Sequence, residues 1–382
     1  MTTTPLTYAT AGVDTEAGDR AVELMRASVK ATHSAGVLGG FGGFAGLFDL
    51  GAVGGYTNPV LATSTDGVGT KVAYAQALDK HDTIGRDLVG MVVDDIVVVG
   101  ATPLFMTDYI ACGQVVPSTI AQIVGGIAAG CAEAQTALIG GETAEHPGLM
   151  EPGEYDLAGA VTGIVDKDAL LGPDRVREGD VLIAMPSSGL HSNGYSLVRA
   201  ITAQQGWALE RHVPEFGRTL GEELLEPTRI YAADCLALAA DPAAQVHGFT
   251  HVTGGGLAAN LARILPAGMS ATVDRGAWEV PAVFTVLREA GGVPVADVEG
   301  TWNLGVGMVA VVGAEGADAA LRCLAARGLP SVVLGTVTVA AETADAGMAG
   351  AGAAVGDKGD VVTGTKGVQG GAVHMTGTYN WA

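Results

Sequence analysis

Between Thr83 and Val99 the apolar residues Ile84, Leu88, Val92 and Ile96 return at every fourth position, which predicts a helix despite the many valines around them. The same spacing at Ala17, Ala21, Leu24, Ser28 and Val29 predicts a helix over 15–32, and a third, opened by Pro117 and Ser118, covers 117–134. Short apolar runs predict strands at 59–65, 104–112, 136–141 and 156–165. VLGGFGGFAG (37–46) is too rich in glycine for a stable element and reads as a flexible loop. LLGPDRVREGD (170–180) loses all periodicity and marks a boundary. Beyond it come a strand at 181–186, a helix from Gly194, helices near 219–240 and 257–265, a strand at 307–313, a helix at 315–327 and a strand at 332–337. Both halves therefore alternate helix and strand, an α/β chain with mixed sheets and no internal repeat. The expected division is 1–172, 173–340, a Gly/Ala-rich flexible segment over 341–371, and a last edge strand within 372–382.

Composition narrows the function classes. The 382 residues suit two domains, and 48% hydrophobic content gives each a sizeable core. Against 41 Asp and Glu stand only 20 Lys and Arg, a formal charge of −21 with no basic run, so nucleic acid is not expected as a partner. Cys112, Cys131, Cys235 and Cys323 form no C-x-x-C pair and predict neither a zinc site nor a dithiol. No secretory start and no apolar run of membrane-spanning length is present, so a soluble, cytoplasmic protein is expected.

Three constellations carry chemistry. STDGVGTK (64–71) looks like a P-loop but is not one, because Thr70 separates Gly69 from Lys71 and Val72 follows the lysine. It ends a strand at Asp66. Asp94 and Asp95 stand among valines in MVVDDIVVVGA, where two adjacent carboxylates repel and lose water, so one is expected to face a cation or a cavity. Glu142 follows a strand in LIGGETAEHPG. Singly, each reads equally as a cap, a turn or a solvated face. Together, carboxylates, glycine turns and Lys71 suit magnesium and phosphate chemistry. MPSSGLHSNGYSLVR (185–199) places His191 before a helix start, and HVTGGGLAANL (251–261) puts three glycines before another; both suit a loop that lies close to an anion, or a plain connector.

The motifs YATAGVD, GGFGGF, STDGVGTK, HDTIGRDLV, GATPLFMTDY, GGETAEHPG, SSGLHSNGYSLVR, EPTRIY, HVTGGG and NLGVGM follow one another in order. In that order they closely resemble the phosphoribosylformylglycinamidine cyclo-ligase family over roughly residues 6–338. Single pieces also resemble selenophosphate synthetase and thiamine-monophosphate kinase. The resemblance implies two α/β domains, a homodimer formed through a shared β-barrel, and ATP-driven closure of formylglycinamidine ribonucleotide to aminoimidazole ribonucleotide. It also implies ATP and Mg2+ held by Asp66, Asp95 and Glu142, with Gly67, Gly69, Thr70, Lys71 and Gly141 around the nucleotide and Gly39, Gly40, Gly42 and Gly43 in a flap over it. Ser188, His191, Ser192, Asn193, Gly254 and Gly255 would face substrate or phosphate, with Lys71 and His191 as catalytic residues. Asp94 stands where that family is expected to have asparagine, and the extra charge is expected to alter metal affinity. Trp302 and His146 are further departures, and the Gly-rich stretch after Ala340 has no counterpart. Another phosphotransferase of the same superfamily, or a nucleotide sensor on the same scaffold, are the alternative readings.

Overall fold

Alternation decides the first layer. β3 (Pro59–Gly67) exposes and shields successive residues in turn, as a strand covered on one face must. The computed structural model, which describes residues 12–39, 43, 45–339, 361–364 and 370–382, sets β3 at the edge of a four-stranded sheet. Before it come α1 (Thr15–Ala31), β1 (Val37–Leu38) and β2 (Leu47–Phe48); after it follow α2 (Val72–Ala77), α3 (Ile84–Val97), β4 (Thr102–Cys112), α4 (Pro117–Glu133), β5 (Ala137–Glu145) and β6 (Tyr155–Asp166). The sheet order is β3-β6-β4-β5, antiparallel except for the β4–β5 pair. Among the described residues, helices cover one face only. On the other, Leu61 and Tyr109 are 55% and 42% exposed, beside Thr63, Thr65, Ala158 and Ala160.

The second sheet has seven strands in the order β10-β13-β7-β14-β11-β16-β15. Its members are β7 (Val181–Pro186), β10 (Val246–His251), β11 (Met269–Asp274), β13 (Val306–Val312), β14 (Val332–Val339), β15 (Val361–Thr363) and β16 (Ala372–Thr376). Between them run α5 (Tyr195–Gln205), the small hairpin β8 (His212–Val213) and β9 (Arg218–Thr219), α6 (Leu220–Leu224), α7 (Ala232–Ala240), α8 (Gly256–Ala262), β12 (Glu279–Val280), α9 (Ala282–Gly291), α10 (Val295–Glu299) and α11 (Ala317–Ala326). β17 (Asn380–Trp381) pairs with β12. Every residue of β13 is buried, and the strand divides its side chains between two cores. Met308, Ala310 and Val312 join a core continuous with that of the first domain, whereas Val309 and Val311 join a second core with Leu257, Leu261 and Val273.

Four expectations need correcting. The loop 37–46 is framed by the β1–β2 pair, because Val37 and Leu38 find partners in Leu47 and Phe48. The stretch 219–240 is not one helical run: α6 and α7 are separated at Pro227, which has no N–H to continue a helix. Part of the segment 341–371 is ordered into the sheet as β15. The terminal strand β16 is not an edge strand, since it lies between β11 and β15 and pairs parallel with β11. Among the described residues no helix is long and apolar enough to cross a membrane.

Candidate active site at the domain junction

Asp66 and Ser64 lie on the helix-covered face of β3, since their partners Gly159 and Val161 in β6 face the core. From α3, Asp95 meets them: its Oδ2 accepts a hydrogen bond from Ser64 Oγ at 3.2 Å. Its Oδ1 lies 3.0 Å from Nδ1 of His251, a residue of the other domain. Burial alone would raise the Asp95 pKa, but the His251 and Ser64 hydrogen bonds leave it below the usual carboxylate value. The His251 ring is buried, which disfavours its charge, yet Asp95, Asp94 and Asp66 together raise its pKa. Its Nε2 is buried with no hydrogen-bond partner among the described residues.

The neighbouring carboxylate has a different task. Asp94 is fully buried and accepts from the Tyr231 amide at 2.9 and 3.1 Å, joining α3 to the start of α7. Burial pushes its pKa up to about 8, so near neutral pH it is chiefly protonated. Asp94, expected to add charge beside a metal, is thus held at the Tyr231 amide with its pKa raised by burial.

Lys71 also lies differently from the expected phosphate contact. Its ammonium is fully buried, donating to Asp87 Oδ1 at 2.7 Å and to the Glu226 carbonyl at 2.6 Å, and sits 5.6 Å from the centre of the Tyr195 ring. Asp87 Oδ1 accepts in addition from the amide and the hydroxyl of Thr228, both at 2.7 Å. Desolvation lowers the lysine pKa, and Asp87 partly restores it. Lys71 thus ties the end of the DGVGTK turn to the loop ahead of α7. Nearby, Gly69 has φ +56°, and a Cβ there would stand 3.5 Å from the Ser192 carbonyl. Thr70 Oγ1 is 3.4 Å from Ser196 Oγ.

From the second domain, the turn after β7 brings in Ser188, His191, Ser192 and Asn193. His191 has φ +61°, an uncommon conformation for a non-glycine residue. Its Nε2 accepts from the Ser188 amide at 3.2 Å. Complete burial holds the ring's pKa well below the histidine value, so it is neutral, and with Nε2 accepting, the proton resides on Nδ1. That Nδ1 is buried and has no partner among the described residues. Ser188 Oγ donates to the Pro227 carbonyl at 2.6 Å and Ser192 Oγ lies 3.1 Å from Thr228 Oγ1. Asn193 Oδ1 accepts from the Gly254 amide at 3.1 Å, while its Nδ2 reaches Met91 Sδ at 3.7 Å. One asparagine, itself in the first glycine turn of the second domain, therefore contacts both α3 and the second glycine turn. Gly255 has φ +106°, a backbone that side chains resist.

The structure gathers Asp66 and Asp95 but not Glu142. Glu142 pairs with Tyr109 on the open face of the sheet, whereas Asp66 is on the helix face at the opposite edge strand. No group of three His, Cys, Asp or Glu side chains able to hold a metal ion occurs among the described residues. The expected triad is thus divided within one chain, because strand alternation sends its members to opposite faces. Gly141 lies on the helix side, where a Cβ would stand 1.6 Å from Asp108 Oδ1. Gly67 approaches the Leu157 carbonyl, which a Cβ would meet at 2.9 Å. Of the flap glycines, Gly39 and Gly43 are described, and Gly40 and Gly42 lie outside the described residues.

Sequence reasoning missed His251, Asp87 and Thr228. His251 opens HVTGGG, but attention to the glycines hid the fact that it ends the apolar strand β10 and is aimed across the junction. Asp87 lay one helical turn before the Met91 that Asn193 contacts, in an otherwise apolar stretch of α3.

The comparisons with known proteins give the family. The AIR synthase related protein N-terminal domain family matches residues 45–165, and the corresponding C-terminal domain family matches residues 177–345. The chain is 50% identical over 331 residues to phosphoribosylformylglycinamidine cyclo-ligase of Desulfitobacterium hafniense, covering 87% of this chain and 96% of that protein. The same enzyme of Alkaliphilus oremlandii is 47% identical over 338 residues, covering 88% and 98%. Among solved structures, thiamine-monophosphate kinase from Stenotrophomonas maltophilia is similar with a TM-score of 0.62 at 20% identity, over 94% of this chain and 96% of that one. Hydrogenase maturation protein HypE in complex with ATP gives 0.61 at 21% identity, over 87% and 90%. At such identity these two speak for the fold alone.

Proposed function

Because the chain belongs to the phosphoribosylformylglycinamidine cyclo-ligase family, we propose that it closes the imidazole ring of aminoimidazole ribonucleotide from formylglycinamidine ribonucleotide, in purine biosynthesis and with ATP as phosphoryl donor. The γ-phosphoryl group moves to the formyl oxygen, releasing ADP. The amidine nitrogen attacks that carbon, the carbon–oxygen bond breaks, and phosphate leaves as the ring closes. Positioning and charge neutralisation supply most of the catalysis in such a transfer.

The observation that carries this reading for the site is an oriented carboxylate, Asp95, bonded to His251, whose charge reaches His191 in turn, each imidazole keeping one nitrogen without a partner among the described residues. Asp66 and Asp95 suit a Mg2+–ATP complex, which needs only one or two protein carboxylates besides phosphate and water. Magnesium, when bound, would neutralise charge on the phosphates. Neutral His191 offers Nδ1–H as a hydrogen-bond donor to an oxygen that gains charge, and Asn193 holds the two glycine turns in register. In this reading Lys71 is a positioning residue for the DGVGTK turn and not the phosphate contact. The open face of the four-stranded sheet supports a homodimer in which a second copy covers Leu61 and Tyr109. Glu142 stands on that same face and belongs to this second surface. The cytoplasm is the proposed setting.

The test is ADP release from magnesium–ATP with and without formylglycinamidine ribonucleotide, followed by detection of aminoimidazole ribonucleotide. Substrate-dependent ADP release with product supports the assignment, and Asp95→Asn and His191→Ala should each lower kcat/KM by roughly a hundredfold or more. ATP turnover without ring closure would sink it.

A further inference from the structure

The last eleven residues, 372–382, lie beyond the matched C-terminal family region, yet they are built into the second domain. β16 lies beside β11, Thr376 Oγ1 donates to the Val273 carbonyl at 3.1 Å, and Asn380 Nδ2 donates to the Gly276 carbonyl at 2.9 Å. Tyr379 is then wedged between Trp278 and Trp381, with ring centres 5.5 and 5.3 Å away. Its hydroxyl donates to Glu299 Oε1 at 2.6 Å. The same carboxylate receives Arg275 Nε at 2.6 Å and Nη2 at 3.2 Å, and Arg275 Nη1 returns to the Met375 carbonyl at 2.9 Å. Three donors thus fix one glutamate, two from the turn that follows β11 and one from the C-terminal segment.

What Glu299 supports is the site. Its own carbonyl occupies the space next to Gly256, where a Cβ would stand 1.7 Å away. Three residues on, Trp302 packs against Gly194, where a Cβ would meet its Cδ1 at 2.4 Å, and donates Nε1–H to the Gly194 carbonyl at 3.3 Å. Gly256 closes the HVTGGG turn and Gly194 closes the turn that carries His191 and Asn193. At both glycines the approach is too close to absorb a shift of the backbone, so displacement of the 299–302 segment is transmitted to both turns.

We propose that the C-terminal segment is a brace for the substrate side of the site: through Tyr379 and Glu299 it sets the spacing of the two glycine turns that Asn193 bridges. Tyr379, Arg275 and Glu299 are positioning residues, and none touches the reacting atoms. This role rests on the reading of those turns as the substrate-facing loops, while the contacts themselves do not.

The test uses the full chain. Tyr379→Phe keeps the ring between its tryptophans and removes only the hydroxyl donor. Expected are a rise in KM for formylglycinamidine ribonucleotide of about three- to tenfold, the scale of one hydrogen bond, and kcat and KM for ATP within about twofold of the parent. Amide hydrogen exchange should quicken in 192–196 and 253–258 and stay unchanged in 84–97. Glu299→Gln, which keeps the shape and weakens all three contacts, should show the same pattern more strongly. A lower melting temperature with unchanged KM and unchanged exchange in both turns would overturn the proposal. If the parent protein makes no product, the functional reading falls, and the exchange pattern still decides the brace.

Discussion

The two sheets are built on different terms. In the seven-stranded sheet, β13 is VGMVAVV, buried throughout, with alternate residues in two separate cores. In the four-stranded sheet, β3 is PVLATSTDG, and its alternate residues Leu61, Thr63 and Thr65 are exposed on the face opposite the helices, where Phe48 of β2 packs on Phe105 of β4 at 5.3 Å. Burial on both faces fixes register and tolerates nothing polar. One open face leaves β3 free to carry Thr63 and Thr65 there, while Asp66, on its helix-covered face, belongs to the site. The seven-stranded sheet contributes its site residues from the end of one strand, β10, and from the turns beyond its strands, where His251, His191 and Gly254 are found.

This contrast can be broken in four places. The largest effect is expected from Val309→Asp, which puts a charge into the second core without a partner and should cost more than about 4 kcal/mol. Urea unfolding or loss of soluble protein would measure it. Next comes Asp87→Ala at the joint between the domains. It strands the Lys71 ammonium in a site with no solvent and should cost about 3–5 kcal/mol, with part recovered when Lys71→Met is added. A loss below about 1 kcal/mol in denaturant titration would refute the joint.

A third test concerns Asp108, on the helix face of β4. Its Oδ2 is buried without a partner among the described residues, and burial pushes its pKa up from 3.8 to about 7. The folded state binds this proton more tightly than the unfolded chain, so its contribution is full below about pH 4 and is lost as the pH rises to about 7. Asp108→Asn should remove that slope, gaining about 2–3 kcal/mol on the parent as the pH rises from about 5 to 8. Parallel pH–stability curves for the two proteins would contradict the assignment. The smallest change in stability is expected from Leu61→Asp on the open face, within about 0.5 kcal/mol for the isolated chain. For the proposed homodimer, its effect should appear in sedimentation as a shift from dimer to monomer, and a parent that sediments as a monomer would refute the dimer.

Much of this was legible beforehand, for identifiable reasons. α3 announced itself by spacing, α4 by its opening Pro117 and Ser118, and β7 and β13 by continuous apolar runs. β11 was passed over because MSATVD mixes small and polar residues, although it pairs on both sides. α9 carried a helical pattern in Val283, Phe284 and Leu287 that went unread. At the candidate site, the motifs named segments that the fold brings together but not the directions of their side chains. A lysine after a glycine turn reads as a phosphate contact until Asp87, distant in sequence, is seen to hold it. Of adjacent Asp94 and Asp95, one was expected to face a cation or a cavity, and helix geometry sends Asp94 to Tyr231 and Asp95 to His251. Likewise, Asp66 and Glu142 each end an apolar strand, and only sheet register separates them.

One core runs without a break from α3 and α4 into β7, α5 and α7. Tyr74 of α2 meets Tyr195 of α5 edge-on at 5.9 Å and bonds Thr202 at 2.9 Å, alongside the Lys71, Asp94 and Asp95 contacts. Two lobes fused in this way cannot swing apart without exposing apolar surface at about 25 cal/mol for every Å2. Rearrangement of surface segments over this shared core is thus the less costly motion, and swinging the two lobes apart the more costly one.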